Sequence, residues 1–187
     1  MEISKFKDLF PLVSFESVIK LFKHQVESQE KDPDLSMLSI CLGYIENVLC
    51  KDSTTTSSSS KTTSFPVLDF ETVETLYKKF KSIVSIAETQ FQPTQKSKKK
   101  EEIHEPKVAT REKIKKISDT IWNSLLRSSY KDRAHLQSVY SYLTGNKLDS
   151  FGVALVSCAA CQILNYKDVH LALSEDHVWI VFGKSGE

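Results

Sequence analysis

The sequence predicts a predominantly helical α+β chain: a helical first half, then more helices closed by an antiparallel hairpin. Apolar residues recur at three- and four-residue spacing over most of its length. Near residue 170 the period changes to two, in runs separated by a short polar turn. An apolar fraction of 40%, with 18 aromatic residues among 187, is enough for a packed core. No apolar run reaches ~18 residues, so no membrane-spanning helix and no membrane partner are expected. The start, MEISKFKDLF, lacks the apolar segment and cleavage site of a secretory signal. A net charge of +1 predicts no strong whole-molecule attraction to nucleic acid.

The first helix opens at Ser14, a good cap, and its apolar stripe reads Phe15, Val18, Ile19, Phe22, Val26. Asp34 caps a second, striped by Leu35, Leu38, Leu42, Ile45 and Leu49. Residues 51–64, KDSTTTSSSSKTTS, are too rich in hydroxyls to offset the entropy of ordering and read as a flexible loop. Asp69 opens a third helix, with Val73, Leu76, Tyr77, Phe80, Val84 and Ala87 on one face. The charged stretch 96–106 then divides a helical region, 1–95, from a second domain, 107–187.

In that second half Thr110 caps a helix bearing Ile114, Ile117, Ile121 and Leu125. Another is expected from about Asp132, using Leu136, Val139, Tyr140 and Leu143, with Gly145-Asn146 ending it. Asp149 or Ser150 starts a small-residue helix, GVALVSCAACQIL, apolar nearly all round and hence buried, which Asn165 closes. Strands are expected at 169–173 and 177–183, joined by Ser174-Glu175-Asp176. Alternation sets His177, Trp179 and Val181 on one face and Val178, Ile180 and Phe182 on the other.

Four cysteines, Cys41, Cys50, Cys158 and Cys161, are expected to be reduced and structural. Cys158-Ala159-Ala160-Cys161 has C-x-x-C spacing, but Cys41 and Cys50, one inside and one beyond a helix, make a poor second ligand pair. No metal site or cofactor is expected. Lys96, Lys98, Lys99 and Lys100 form the candidate import signal or nonspecific DNA contact. Residues 91–116 hold nine Lys or Arg against four Glu, a net of +5. No aromatic is interleaved with the lysines, so a solvated linker is favoured over a stacking platform.

His177, two residues before Trp179 in a strand after a helix, matches the placement of a catalytic base in thiol enzymes of the transglutaminase type. The alternative function is therefore a thiol- or serine-dependent acyl-transfer enzyme using His177. Such an enzyme needs its thiol at the helix N-terminus, where free N–H groups and the dipole favour thiolate. The first turn here reads Ser150-Phe151-Gly152-Val153, and Cys158 lies ~12 Å further along the axis. Ser150 is better read as part of the helix cap. An ordinary fold-bearing His-Trp pair is favoured over an enzyme.

KDRAHLQS, TGNKLDS, ACQ and above all KDVHLALSEDHVWIVFG, within residues 121–187, closely resemble the menin family. LFPLVSFESVIKLF and SFPVLDF are similar to its earlier segments, whereas the Ser/Thr loop and the lysine linker match poorly. The resemblance implies a nuclear scaffold, without catalysis, that recruits chromatin regulators. Its partners would be peptides from an MLL-type histone methyltransferase and from JunD-type transcription factors. The implied fold is a helical N-terminal region followed by a transglutaminase-like domain, incomplete here at its C-terminus. Helical repeats forming the opposite wall of the peptide cavity would lie beyond Glu187. This chain alone is accordingly expected to bind weakly and to leave a sheet edge open after Phe182.

By the same resemblance the near wall falls on Asp132, Phe151, Leu173, Ser174, Glu175, Asp176, His177 and Val178. Carboxylates there suit arginine-bearing peptides, and Leu173 and Val178 offer apolar anchorage. Phe151 and Val178 replace a serine and an alanine of familiar members, so a narrower pocket or a different anchor is expected.

Overall fold

A computed structural model of the chain describes residues 3–27, 32–54, 64–89, 107–126, 135–183 and 186. A short 3-10 segment, Ile3–Leu9, leads to α1 (Phe15–Glu27), α2 (Leu35–Thr54) and α3 (Phe70–Thr89). There follow α4 (Arg111–Ser124), α5 (Val139–Gly145), α6 (Ser150–Ile163) and strands β1 (Val169–Leu173) and β2 (Val178–Phe182). The mostly helical α+β expectation holds. Among the described residues the sheet is a single antiparallel hairpin, with Val169 paired to Phe182 and Leu173 to Val178.

Ser14 begins α1 as expected: its hydroxyl accepts from Ser17 N, while Ser17 Oγ accepts from Ser14 N. The buried face of α1 differs from the expected stripe. Val18, Leu21 and Gln25 point inward, whereas Phe15 (65%), Ile19 (52%) and Val26 (67%) are exposed. Gln25 explains the rotation. Its side-chain oxygen accepts the buried Asp34 N–H at 2.7 Å, a donor that would otherwise go unpaired.

α2 is central and buried on more than one side through Met37, Leu38, Ile40, Cys41 and Ile45, while Leu42 of the expected stripe is exposed. The helix continues to Thr54, so residues 51–54 extend it rather than opening the loop. Cys50 is therefore inside α2, not beyond it. Residues 55–63 and the linker 96–106 lie outside the described residues.

In the second half, α5 starts at Val139 rather than near Asp132, because Ser138 and Ser141 cap it reciprocally. Asn146 ends it in the left-handed conformation (φ 49°). Asp149, not Ser150, caps α6, accepting from Gly152 N at 2.7 Å. Asn165 closes that region, also left-handed at φ 67°.

α6 packs on α2, α3, α4, α5 and both strands, and Val156, Cys158, Ala159, Ala160 and Cys161 are fully enclosed. Ile180, Phe182 and Leu171 lay the hairpin against this core. Gln162 ties α6 to the start of α2: its carbonyl accepts from Leu35 N and its amide donates to Pro33 O. Helices from both sides of residues 96–106 thus share one hydrophobic core.

Candidate functional site

The expected wall residues gather mainly at the hairpin turn. Leu173 ends β1 and is 61% exposed, and Ser174, Glu175, Asp176 and His177 are exposed in succession. The turn is held by its own hydrogen bonds rather than by the core. Ser174 N donates to His177 O at 2.8 Å, and His177 N donates back to Ser174 Oγ at 3.1 Å. Ser174 Oγ also donates to Asp176 Oδ1 at 3.1 Å. Serine at 174 therefore fixes the loop closure, leaving the Glu175 carboxylate and one Asp176 oxygen facing water. Val178, first in β2, is half-buried.

Phe151 lies in the first turn of α6 and is half-buried. Its neighbour Gly152 passes close under the chain before α5: a Cβ there would stand 2.7 Å from Leu136 O. Asp149 N donates to that same carbonyl at 3.1 Å. Those contacts fix the α6 N-terminus against Leu136 and Gln137. Asp132 itself, like Lys96, Lys98, Lys99 and Lys100, lies outside the described residues.

For acyl-transfer chemistry, no thiol or hydroxyl is hydrogen-bonded to the His177 imidazole among the described residues. The imidazole stacks on Trp179, ring centroids 5.9 Å apart and planes 24° apart. Cys158 is fully enclosed, its thiol approaches Val169 O at 3.8 Å, and burial pushes its pKa up to about 12. Burial pushes Cys161 up as well, with Cys158 and Asp168 adding to the effect. Ser150, exposed one residue after the cap, has no imidazole bonded to it among the described residues. The C-x-x-C pair is thus core, and no group of three or more His, Cys, Asp or Glu side chains among the described residues is placed to hold a metal ion.

Another constellation went unread in the sequence because its members are 85 and 89 residues apart. His135, between Cys50 and Glu46 of α2, bonds to both. Its only sequence signal is the i, i+4 spacing of the α2 pair.

The Menin family model matches residues 1–187. A crystal structure of menin that reveals the binding site for the Mixed Lineage Leukemia (MLL) protein is similar at 40% sequence identity, with a TM-score of 0.68. The match covers 94% of this chain and 34% of that one, so the chain spans about a third of the length of the structure it resembles.

Proposed function

The chain belongs to the menin family, and from that premise we propose that it acts as a non-enzymatic nuclear scaffold that captures arginine-bearing peptides. Its partners on this reading are MLL-type histone methyltransferase and JunD-type transcription-factor peptides, recruited to regulate transcription at chromatin. The carrying observation is the hairpin turn, where Leu173, Glu175, Asp176 and His177 are all exposed on a loop braced by Ser174. A guanidinium offers a fork of donors to the paired carboxylates, and Leu173 with Val178 supplies apolar contact. The enclosed, proton-holding thiol of Cys158 supports binding rather than catalysis as the role of His177.

Fluorescence anisotropy with a labelled arginine-bearing MLL-type peptide tests this reading, on the chain as it stands and on a version extended through the family's helical repeats. Saturable binding is expected. Glu175→Gln and Asp176→Asn should each weaken it by about 0.2–1 kcal/mol, the range for exposed ion pairs, and the loss should shrink with added salt. No binding to either protein at micromolar concentration would sink the proposal.

A further inference from the structure

α2 meets the segment 135–140 along one stripe. Ser39 Oγ accepts from Val139 N at 2.9 Å, Gly43 lies under Ser138, and Glu46 and Cys50 follow one and two turns further on. The side chain that meets this last pair is His135. Its Nδ1 lies 2.6 Å from Glu46 Oε1, and its Nε2 lies 3.2 Å from Cys50 Sγ. The backbone of His135 is left-handed, φ 63°, a conformation in which histidine is enriched. That turn aims the ring back at α2.

The two contacts assign the proton positions. The carboxylate takes the N–H of Nδ1, and in the neutral imidazole that leaves the lone pair of Nε2 facing the thiol. Glu46 and His135 are each close to half exposed (46% and 44%), and Cys50 is half-buried rather than enclosed, so the arrangement lies at the surface. The other three cysteines are buried, and burial pushes Cys41 and Cys158 up to about 12.

We infer that Cys50 is a nucleophilic thiol that captures soft electrophiles of the α,β-unsaturated carbonyl class, with His135 as its proton acceptor and Glu46 as a positioning residue. The thiol proton passes to His135 Nε2 as Sγ bonds to the β-carbon of the electrophile. The π pair moves to the α-carbon side, and that carbon takes the proton back from Nε2. A thioether forms, no atom leaves and no oxidant is required. Hydrolytic turnover is not part of the inference. Cys50 is near the C-terminal end of α2, where free carbonyls rather than N–H donors project, so the helix supplies no oxyanion hole.

The test uses the full chain and N-ethylmaleimide, read by intact mass and peptide mapping. The first adduct is expected on Cys50, and its rate at neutral pH should fall at least about tenfold in His135→Asn. Asparagine accepts the left-handed backbone and removes the base. A first adduct elsewhere, or an unchanged rate in His135→Asn, overturns the inference. Independently of any variant, folded Cys50 should react faster than the same residue in the urea-unfolded chain, and a slower folded rate overturns it too. For Glu46, imidazole ¹⁵N spectra should show His135 protonated at Nδ1 in the wild type. In Glu46→Ala the proton should move to Nε2, and an unmoved proton removes Glu46 from the arrangement.

Discussion

Asp34 is buried at the start of α2 with both oxygens engaged. One accepts from Met37 N at 3.0 Å and the other from the Tyr77 hydroxyl at 2.9 Å. Burial raises its pKa, and those hydrogen bonds only partly oppose the rise. The folded state therefore holds the proton more tightly than the unfolded chain, where an aspartate titrates at about 3.9. Stability from this group is fully present below that value and is lost as pH rises through the higher folded pKa. Asp34→Asn keeps the cap and is neutral at every pH. Urea unfolding of both proteins at pH 4 and pH 7 should show the stability difference moving in favour of asparagine at pH 7. Parallel behaviour at the two pH values would contradict the burial argument. The same carboxylate works on its partner: burial raises Tyr77, and the Asp34 charge adds to that.

At the scale of elements, the α2–α5 crossing is set by a glycine. A Cβ on Gly43 would stand 2.2 Å from Ser138 Oγ, 2.6 Å from Ser138 Cβ and 2.8 Å from Tyr140 Cβ. Gly43→Ala should thus destabilise by about 1–3 kcal/mol despite alanine's better helix propensity, because the helices must part. A higher urea midpoint in the variant would contradict this. Nothing in the local sequence marks Gly43, since a lone glycine in a helical pattern reads only as a weak spot. The Thr110 cap and the first strand were legible because they depend on near neighbours: Thr110 accepts from Lys113 N, and β1 occupies the expected span. The inward face of α1 was not. Its apolar residues lie on both sides, and what chose between them was the distant hydrogen bond from Asp34 N to Gln25. The candidate site divides in the same way. The turn 174–177 is local and readable, whereas Cys50, His135 and Glu46 meet only through tertiary packing.

Across the whole molecule, the observed packing predicts that the two halves unfold as one cooperative unit. α2 touches α3 from its own half and α5 and α6 from the other, and Gln162 and Ser39 carry hydrogen bonds between halves. Both tryptophans, Trp122 and Trp179, belong to the second half, so their fluorescence reports that half alone. Far-UV dichroism reports helices from both. Ile40 is fully buried in α2, and Ile40→Val should cost about 0.5–1.5 kcal/mol. For a chain of this size each kcal/mol lowers the melting midpoint by about 2–4 °C. If the halves unfold as one unit, the tryptophan signal and the dichroism should melt together and fall together in the variant. A tryptophan transition left in place while the dichroism shifts would show that residues 107–187 fold without the first half. The hairpin turn would then keep its shape independently of α2. Coincident transitions instead make that turn's geometry depend on core residues such as Ile40, so the same substitution should weaken peptide binding near the melting midpoint and leave it unchanged well below.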